Sequence, residues 1–208
     1  MGIESLWVHV TDLGDSAVLL PLALVIVLWL GSQCWRAAAF WAALFCADGA
    51  GVILSKLLFM GWGLHPEGFD FTGLSGHSAL SMLVFPTLGQ LLGAGRRASV
   101  RWALPLLGAL LAAVIVVSRL KTNFHTPIEA VSGALWGGVM AVLALWRLPR
   151  QRINLHRRAW FLPIAILLPL VLNYGEVFPS YKLLENIACQ LSGRARPYTR
   201  ADLTHPGG

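Results

Sequence analysis

Charged side chains are scarce in this chain of 208 residues. They make up 12% of the sequence, whereas hydrophobic residues make up 56%, and the mean hydropathy is +0.66. Soluble globular domains carry about 25% charged residues, so the composition excludes an ordinary water-soluble protein. The apolar residues gather in stretches that approach the ~20 residues needed for a helix to cross a bilayer. The composition therefore predicts a polytopic membrane protein.

Cysteine is also rare, and its three copies are scattered. Cys34 and Cys46 adjoin or lie within apolar stretches, and Cys189 lies near the C-terminus. No CxxC or metal-ligand spacing occurs, so we expect no disulfide, no metal and no cofactor. A basic segment is missing before the first apolar stretch, which acidic residues precede instead, and no small-residue cleavage site follows it. This stretch is therefore expected to remain as a membrane helix and not to be a cleaved signal peptide.

The apolar stretches predict an all-α membrane bundle of about six transmembrane helices. The predicted spans are residues 15–30, 37–60, 77–94, 102–117, 126–146 and 160–174. The last is short and contains Pro163 and Pro169, which kink a helix unless neighbouring groups satisfy the backbone. Short connections favour one membrane-embedded domain over residues 1–174, with a five-helix catalytic core at about 37–146. Residues 175–208 are expected to form an interfacial helix, at 181–191, and a polar tail on the outer side.

The distribution of charge predicts the orientation of the bundle. One set of connections contains arginines and no acidic residue: Arg36, Arg96, Arg97, Arg101, Arg147, Arg150, Arg152, Arg157 and Arg158. The positive-inside rule makes that side cytoplasmic. The opposite side then carries both chain ends and the loops 61–76 and 118–125. The net charge of +6 is thus explained by topology, and no motif indicates a nucleic-acid partner.

Two short strings lie at the predicted outer side. One is Gly73-Leu74-Ser75-Gly76-His77, at the start of the third span, and the other is Ser118-Arg119, five residues, then His125. The fifth span begins at Thr126-Pro127, which suits a helix start. Two helix N-termini therefore face one pocket, and such ends bind phosphate through free N–H groups and the helix dipole. Gly76 lets the backbone approach an anion closely.

Positive side chains and an acidic residue complete the predicted site. Arg119 and Lys56 supply charge for phosphoryl oxygens. Glu129 lies four residues after His125, on the same helix face, where its carboxylate can accept from Nδ1–H and leave Nε2 free. Glu129 could also simply complement the start of its own helix. These placements assign His125 as the nucleophile and His77 as the acid/base, without a metal.

Here the chain resembles the type 2 phosphatidic acid phosphatase superfamily, which includes membrane lipid phosphatases, acid phosphatases and vanadium haloperoxidases. Its Pro-Ser-Gly-His motif is matched except that Leu74 replaces proline, and its Ser-Arg, five residues, His motif is matched in full. The resemblance implies a phosphohistidine on His125, with His77 protonating the leaving group and then activating water. It also implies that Ser75, Gly76, Arg119 and Lys56 bind the phosphoryl oxygens.

The first motif of that family is incomplete in this chain. It reads Lys, six residues, Arg-Pro, yet Gly63-Leu64 follows Lys56 at that spacing, and the nearest similar pair is His65-Pro66. Either the site works with one fewer cation, or another arginine replaces the missing one. We hypothesise that the tail supplies it, through Arg196 or Arg200.

The sequence thus predicts a metal-independent lipid phosphate or diphosphate phosphatase of the inner membrane, with its site facing the periplasm. Membrane lipids are the expected partners, and neither the particular lipid nor the oligomeric state follows from the sequence. A lipid phosphotransferase using the same intermediate remains an alternative. A transporter or scramblase that only binds lipid in the cationic pocket is another. The role of Asp48, deep in the second span, stays open.

Overall fold

The computed structural model describes residues 3–150, 161–175 and 180–204. These ranges contain helices and no strand. The helices are α1 Ile3–Asp12, α2 Ser16–Gly31, α3 Trp35–Trp62, α4 Gly76–Gly93, α5 Ala98–Lys121, α6 Pro127–Arg147, α7 Phe161–Asn173, α8 Ser180–Ser192 and α9 Arg200–Thr204, with a 3-10 turn at Leu148–Arg150. The predicted all-α fold is confirmed, and each of the six predicted spans coincides with one of α2 to α7.

Four segments of the described chain are long and apolar enough to cross a membrane. They are Leu6–Gly31, which joins α1 to α2, then Trp35–Trp62, Ala98–Lys121 and Pro127–Arg147. Of α7, the described residues cover 13 positions. The helix α4 is not among the four; it packs against α2, α3, α5 and α6, and most of its residues are buried. Among the described residues, four segments thus meet this criterion, against about six predicted transmembrane helices.

Glycines bring α5 and α6 very close to α4. A Cβ atom at Gly89 or Gly108 would overlap the backbone of Leu104 or Phe85, across the α4–α5 contact. A Cβ atom at Gly133 or Gly137 would do the same against Ser75 or Ala79, across the α4–α6 contact. Small residues allow such approaches, and van der Waals packing of this kind holds membrane helices together. These contacts fix the relative positions of the two helix starts that carry the candidate site.

Arginines lie at one end of the bundle, as the orientation argument requires. Arg36 begins α3, Arg96, Arg97 and Arg101 lie at the turn from α4 to α5, and Arg147 ends α6. The other arginines of that predicted side, at positions 152, 157 and 158, lie outside the described residues. Outward-facing apolar side chains cover the middle of α5, with Leu106, Leu107 and Leu110 all more than half exposed. Such a surface suits a lipid environment.

A segment after α8 returns to the end of the bundle opposite the arginines. Leu184 and Ala188 of α8 pack on Phe59 and Met60 of α3. Residues 193–204, which we call the C-terminal arm, continue from there, and the backbone N–H of Tyr198 donates to the carbonyl of Met60 at 2.8 Å. The helix expected at 181–191 is present within α8, but Leu183 and Leu191 of its apolar set are exposed. The arm is thereby held beside the ends of α3, α4 and α6.

Candidate active site

The start of α4 is tied directly to the start of α6. Ser75 is the N-cap of α4, and its Oγ accepts from the backbone N–H of Ser78 at 3.4 Å. The backbone N–H of Ser75 donates to the carbonyl of Glu129 at 3.1 Å. Gly76 is the first residue of α4, and His77 follows it. The two predicted helix starts are therefore neighbours in space.

Glu129 lies at the centre of the site. Its side chain is fully buried, and its Oε2 is 2.8 Å from Nδ1 of His125. The backbone N–H of Thr126 also donates to Oε2, at 3.1 Å, which makes Glu129 part of the capping of α6. The backbone N–H and the hydroxyl of Thr72 each donate to Oε1 at 2.7 Å. Glu129 thus caps its helix and contacts His125 at once, so both sequence interpretations describe the structure.

The contact with Glu129 sets the tautomer of His125. A carboxylate accepts a hydrogen bond from Nδ1–H, so the proton of a neutral ring stays on Nδ1 and Nε2 keeps its lone pair. Burial lowers the pKa of His125 below its usual value of 6.5, and the nearby charges of Arg119 and Lys56 lower it further. The hydrogen bond with Glu129 raises this pKa and offsets only part of that effect. His125 is therefore neutral at physiological pH, with Nε2 available as a nucleophile.

His77 and Arg119 contact the turn between α1 and α2. Nε2 of His77 lies 3.5 Å from Oδ2 of Asp15. Nη1 of Arg119 donates to Oγ1 of Thr11 at 3.0 Å, and the guanidinium lies 4.7 Å from the ring centre of Phe124. Within the described residues, the buried Nε of Arg119 has no hydrogen-bond partner. Arg119 is therefore held between the end of α1 and the α5–α6 loop.

Lys56 and Ser118, the other residues of the predicted motifs, have different surroundings. Lys56 interacts electrostatically with Arg119 and Glu129, and the loop residue Gly73 packs against its stem. Gly73 has φ +133, a conformation that favours glycine, and a Cβ atom there would lie 2.6 Å from Cγ of Lys56. Ser118 donates to the carbonyl of Ile115 in its own helix at 2.6 Å. Lys56 therefore belongs to the charged cluster, and Ser118 supports α5.

The C-terminal arm covers the position of the missing motif arginine. Gly63 ends α3 with φ +68, and a Cβ atom there would lie 3.2 Å from the ring of Tyr198. Beyond Tyr198, Nη2 of Arg200 donates to Oε1 and Oε2 of Glu129 at 2.8 and 2.9 Å, and Nη1 pairs with Asp70. Arg196 instead pairs with Asp202 on the exposed surface of the arm. Of the two tail arginines, the structure brings Arg200 into the site, where it holds carboxylates.

Sequence reasoning missed the residues that reach the site from distant segments. Thr11 comes from the end of α1 and Asp15 from the turn that follows it, and Asp70 and Thr72 come from the loop between α3 and α4. Asp15 was recognisable as a helix cap from the sequence Asp15-Ser16, but a cap does not indicate which side chain its second oxygen meets. Among the described residues, no group of three or more His, Cys, Asp or Glu side chains is placed to hold a metal ion.

The fold and the site together are those of a helical membrane bundle with two half-buried histidines and two cationic side chains beside paired helix starts. Residues 57–153 match the PAP2 superfamily, and the chain belongs to this superfamily. It is also 38% identical over 202 residues to an "Uncharacterized 22.5 kDa protein in cps region" of Klebsiella pneumoniae, across 95% of this chain and 97% of that protein. No solved structure matches the chain. Superfamily membership supports a phosphatase-type activity.

Proposed function

We propose that this protein is an integral membrane phosphatase that hydrolyses lipid phosphates or diphosphates through a phosphohistidine on His125. The observation that carries the proposal is the 2.8 Å contact between Nδ1 of His125 and the buried Glu129, which leaves Nε2 neutral and directed away from its partner. Without this contact the site would be a cationic pocket that binds phosphate. With it, the pocket contains an oriented nucleophile.

In the first step, Nε2 of His125 attacks phosphorus and the bond to the leaving oxygen breaks. His77 gives its proton to that oxygen, so the product leaves as an alcohol or a lipid monophosphate. In the second step, water attacks phosphorus, loses a proton to His77, and the N–P bond breaks to free phosphate and His125. Lys56, Arg119 and the N-termini of α4 and α6 offset the negative charge on the equatorial oxygens.

A lipid substrate follows from the position of the site at the end of an apolar bundle. The cluster lies at the ends of α3 to α6, opposite the arginines that we place in the cytoplasm. A phosphate group at the membrane surface can enter there while its hydrocarbon chain stays in the bilayer. We therefore propose that the protein acts at the periplasmic face of the inner membrane.

Phosphate release from purified lipid phosphates in detergent tests the reaction. The panel contains undecaprenyl diphosphate, phosphatidylglycerol phosphate, phosphatidic acid and lipid A. We expect the wild-type protein to release phosphate from at least one, and His125→Ala to lose at least about a thousandfold of that activity. His65→Ala is the matched control, because His65 is exposed in the loop after α3. Release that survives His125→Ala would contradict the mechanism, and a phosphorylated acceptor without free phosphate would identify a phosphotransferase.

The orientation has its own test. In a variant without the three native cysteines, Thr199→Cys on the C-terminal arm is exposed to a membrane-impermeant thiol reagent in intact cells. Arg36→Cys at the start of α3 is the control on the opposite end of the bundle. We expect labelling at position 199 and none at position 36 until the cells are permeabilised. The reverse pattern would place the site in the cytoplasm.

A further inference from the structure

The turn between α1 and α2 forms one wall of the site, although it lies outside the residues that match the superfamily. Gly14 anchors this turn against α4 and α5. A Cβ atom at Gly14 would lie 2.6 Å from Cγ2 of Ile115 and 3.2 Å from Oγ of Ser81. The turn therefore packs too closely on α4 and α5 to accommodate a larger residue, and its neighbours have fixed positions relative to the two histidines.

From this turn, Asp15 contacts both the start of α2 and His77. Its Oδ1 accepts from the backbone N–H of Ala17 at 2.8 Å and caps α2. Its Oδ2 faces Nε2 of His77 at 3.5 Å, with Asp15 only 7% exposed. Capping α2 thus fixes the carboxylate, and the fixed carboxylate presents its other oxygen to the acid/base histidine.

We propose that Asp15 is a positioning residue that orients His77 and stabilises its protonated form while the leaving group is bound. The inference rests on the proposed function, because it assigns a partner to the residue that protonates the leaving oxygen. Glu129 orients the nucleophile His125 from within the residues that match the superfamily. Asp15 performs the corresponding task for His77 from a segment that lies before them.

The other charged or titratable groups that face His77 make such a partner necessary. They are Arg119 of α5 and His125 of the α5–α6 loop. Arg119 is positive, and His125 is positive if it binds a proton, so both disfavour an imidazolium at His77. The carboxylate of Asp15 has the opposite effect and favours the protonated ring that the leaving oxygen requires.

His77 loses one proton in the first step and regains one in the second. An imidazolium carries N–H on both ring nitrogens, so one can stay directed at Asp15 while the other is given to the leaving oxygen as the P–O bond breaks. The proton that the attacking water later loses restores the imidazolium. Asp15 remains ionised throughout and exchanges no proton with the substrate.

The variant Asp15→Asn tests this role with little change to the fold. Asparagine caps helices as well as aspartate does, and it keeps an oxygen for the N–H of Ala17. Asp12→Asn is the matched control, since it removes the same charge from the adjoining end of α1, where Asp12 interacts electrostatically with Asp15 and Arg119 but forms no ion pair with His77 within the described residues. Asp15→Ser, which also caps, is the second variant. Thermal unfolding in detergent checks that each variant is folded.

Two readouts separate a positioning role from a purely structural one. The first is the pH profile of kcat/KM on a lipid phosphate. We expect Asp15→Asn to lose about tenfold or more at neutral pH, as general acid catalysis contributes roughly 10²–10⁴-fold, and to shift the alkaline limb to lower pH. The second is p-nitrophenyl phosphate, whose leaving group needs no proton. We expect the loss on this substrate to be several-fold smaller.

The results distinguish a failure of the Asp15 proposal from a failure of the proposed phosphatase function. An alkaline limb that stays in place in Asp15→Asn, or an equal loss on both substrates, overturns the role of Asp15. A loss of the same size in Asp12→Asn overturns it as well. If the wild-type protein releases phosphate from no lipid, or if His125→Ala stays active, the proposed function itself fails.

Discussion

Replacing Arg200 by alanine tests whether the C-terminal arm takes part in the reaction. Arg200 is the arm residue that enters the site, and its Nη2 contacts both carboxylate oxygens of Glu129. Glu129 in turn holds His125. If Arg200 positions Glu129, its loss should reduce kcat and leave KM almost unchanged. If Arg200 binds the phosphoryl group, KM should rise instead.

The size of the effect follows from the surroundings of the pair. A hydrogen bond to a charged group contributes about 1.5–3 kcal/mol. Glu129 is fully buried, but the side chain of Arg200 is 40% exposed, and Glu129 keeps its contacts with Thr72, Thr126 and His125. Solvent screening therefore reduces the contribution to about 1 kcal/mol. A difference of that size corresponds to about a fivefold fall in kcat.

The assay is steady-state phosphate release in detergent, over a range of lipid phosphate concentrations that spans KM. Lys182→Ala is the control, because it removes an exposed positive charge from α8 without touching the site. Arg200→Lys should fall between the wild type and Arg200→Ala, since lysine keeps the charge but cannot span both oxygens of Glu129. A folded Arg200→Ala protein with unchanged kcat would refute the positioning role, and a raised KM at constant kcat would restore the phosphate-ligand hypothesis.

Three further predictions concern the nucleophile and the helix packing. The pKa of His125 is lowered, and only the neutral form of its ring attacks phosphorus. We therefore expect kcat/KM to fall with decreasing pH only below pH 6.5. An acid limb above pH 7 would contradict the assignment of His125 as the nucleophile. Glu129→Gln removes the negative charge beside His125 and weakens the hydrogen bond, both of which raise this pKa. We therefore expect kcat to fall at least about tenfold and the acid limb to move to still lower pH; movement to higher pH would count against the orienting role. Gly137→Ala should lower the melting temperature, because its Cβ would overlap the carbonyl of Ala79 and overpacking costs about 1–3 kcal/mol. Gly138→Ala is the control and should leave the melting temperature unchanged, because its Cβ meets only Met82 at 3.9 Å. Equal melting temperatures of the two variants would reject the close-contact interpretation.

The helices were predictable because their signal is local. Each apolar run of about 16 to 24 residues became one of the helices α2 to α6, and even Pro86 and Pro105 lie inside helices. The number of apolar spans was harder to predict from the sequence. The sequence does not reveal that α4 lies among the other helices, and that position is what lets it carry polar residues such as Ser78 and Ser81.

The contacts of the site were also predictable from the sequence only where they are local. The contact of His125 with Glu129 follows from a separation of four residues on one helix, so spacing alone predicted it. Asp15 meets His77, and Arg200 meets Glu129, across long separations in sequence. Such pairs depend on how the ends of helices pack, and a single sequence contains no periodic signal for them. The hypothesis that a tail arginine enters the site did not identify Glu129 as the partner of Arg200.

The shared carboxylate of Glu129 has a consequence for biosynthesis. A chain emerging from the ribosome completes His77, His125 and Glu129 well before it reaches Arg200. During that interval Glu129 is buried in the bundle without its guanidinium partner. In the orientation that we propose, translocation of the arm across the membrane is then the event that brings Arg200 to Glu129. Truncation or a bulky fusion near position 200 should yield a stable, membrane-inserted protein that keeps every motif residue but has a lower kcat.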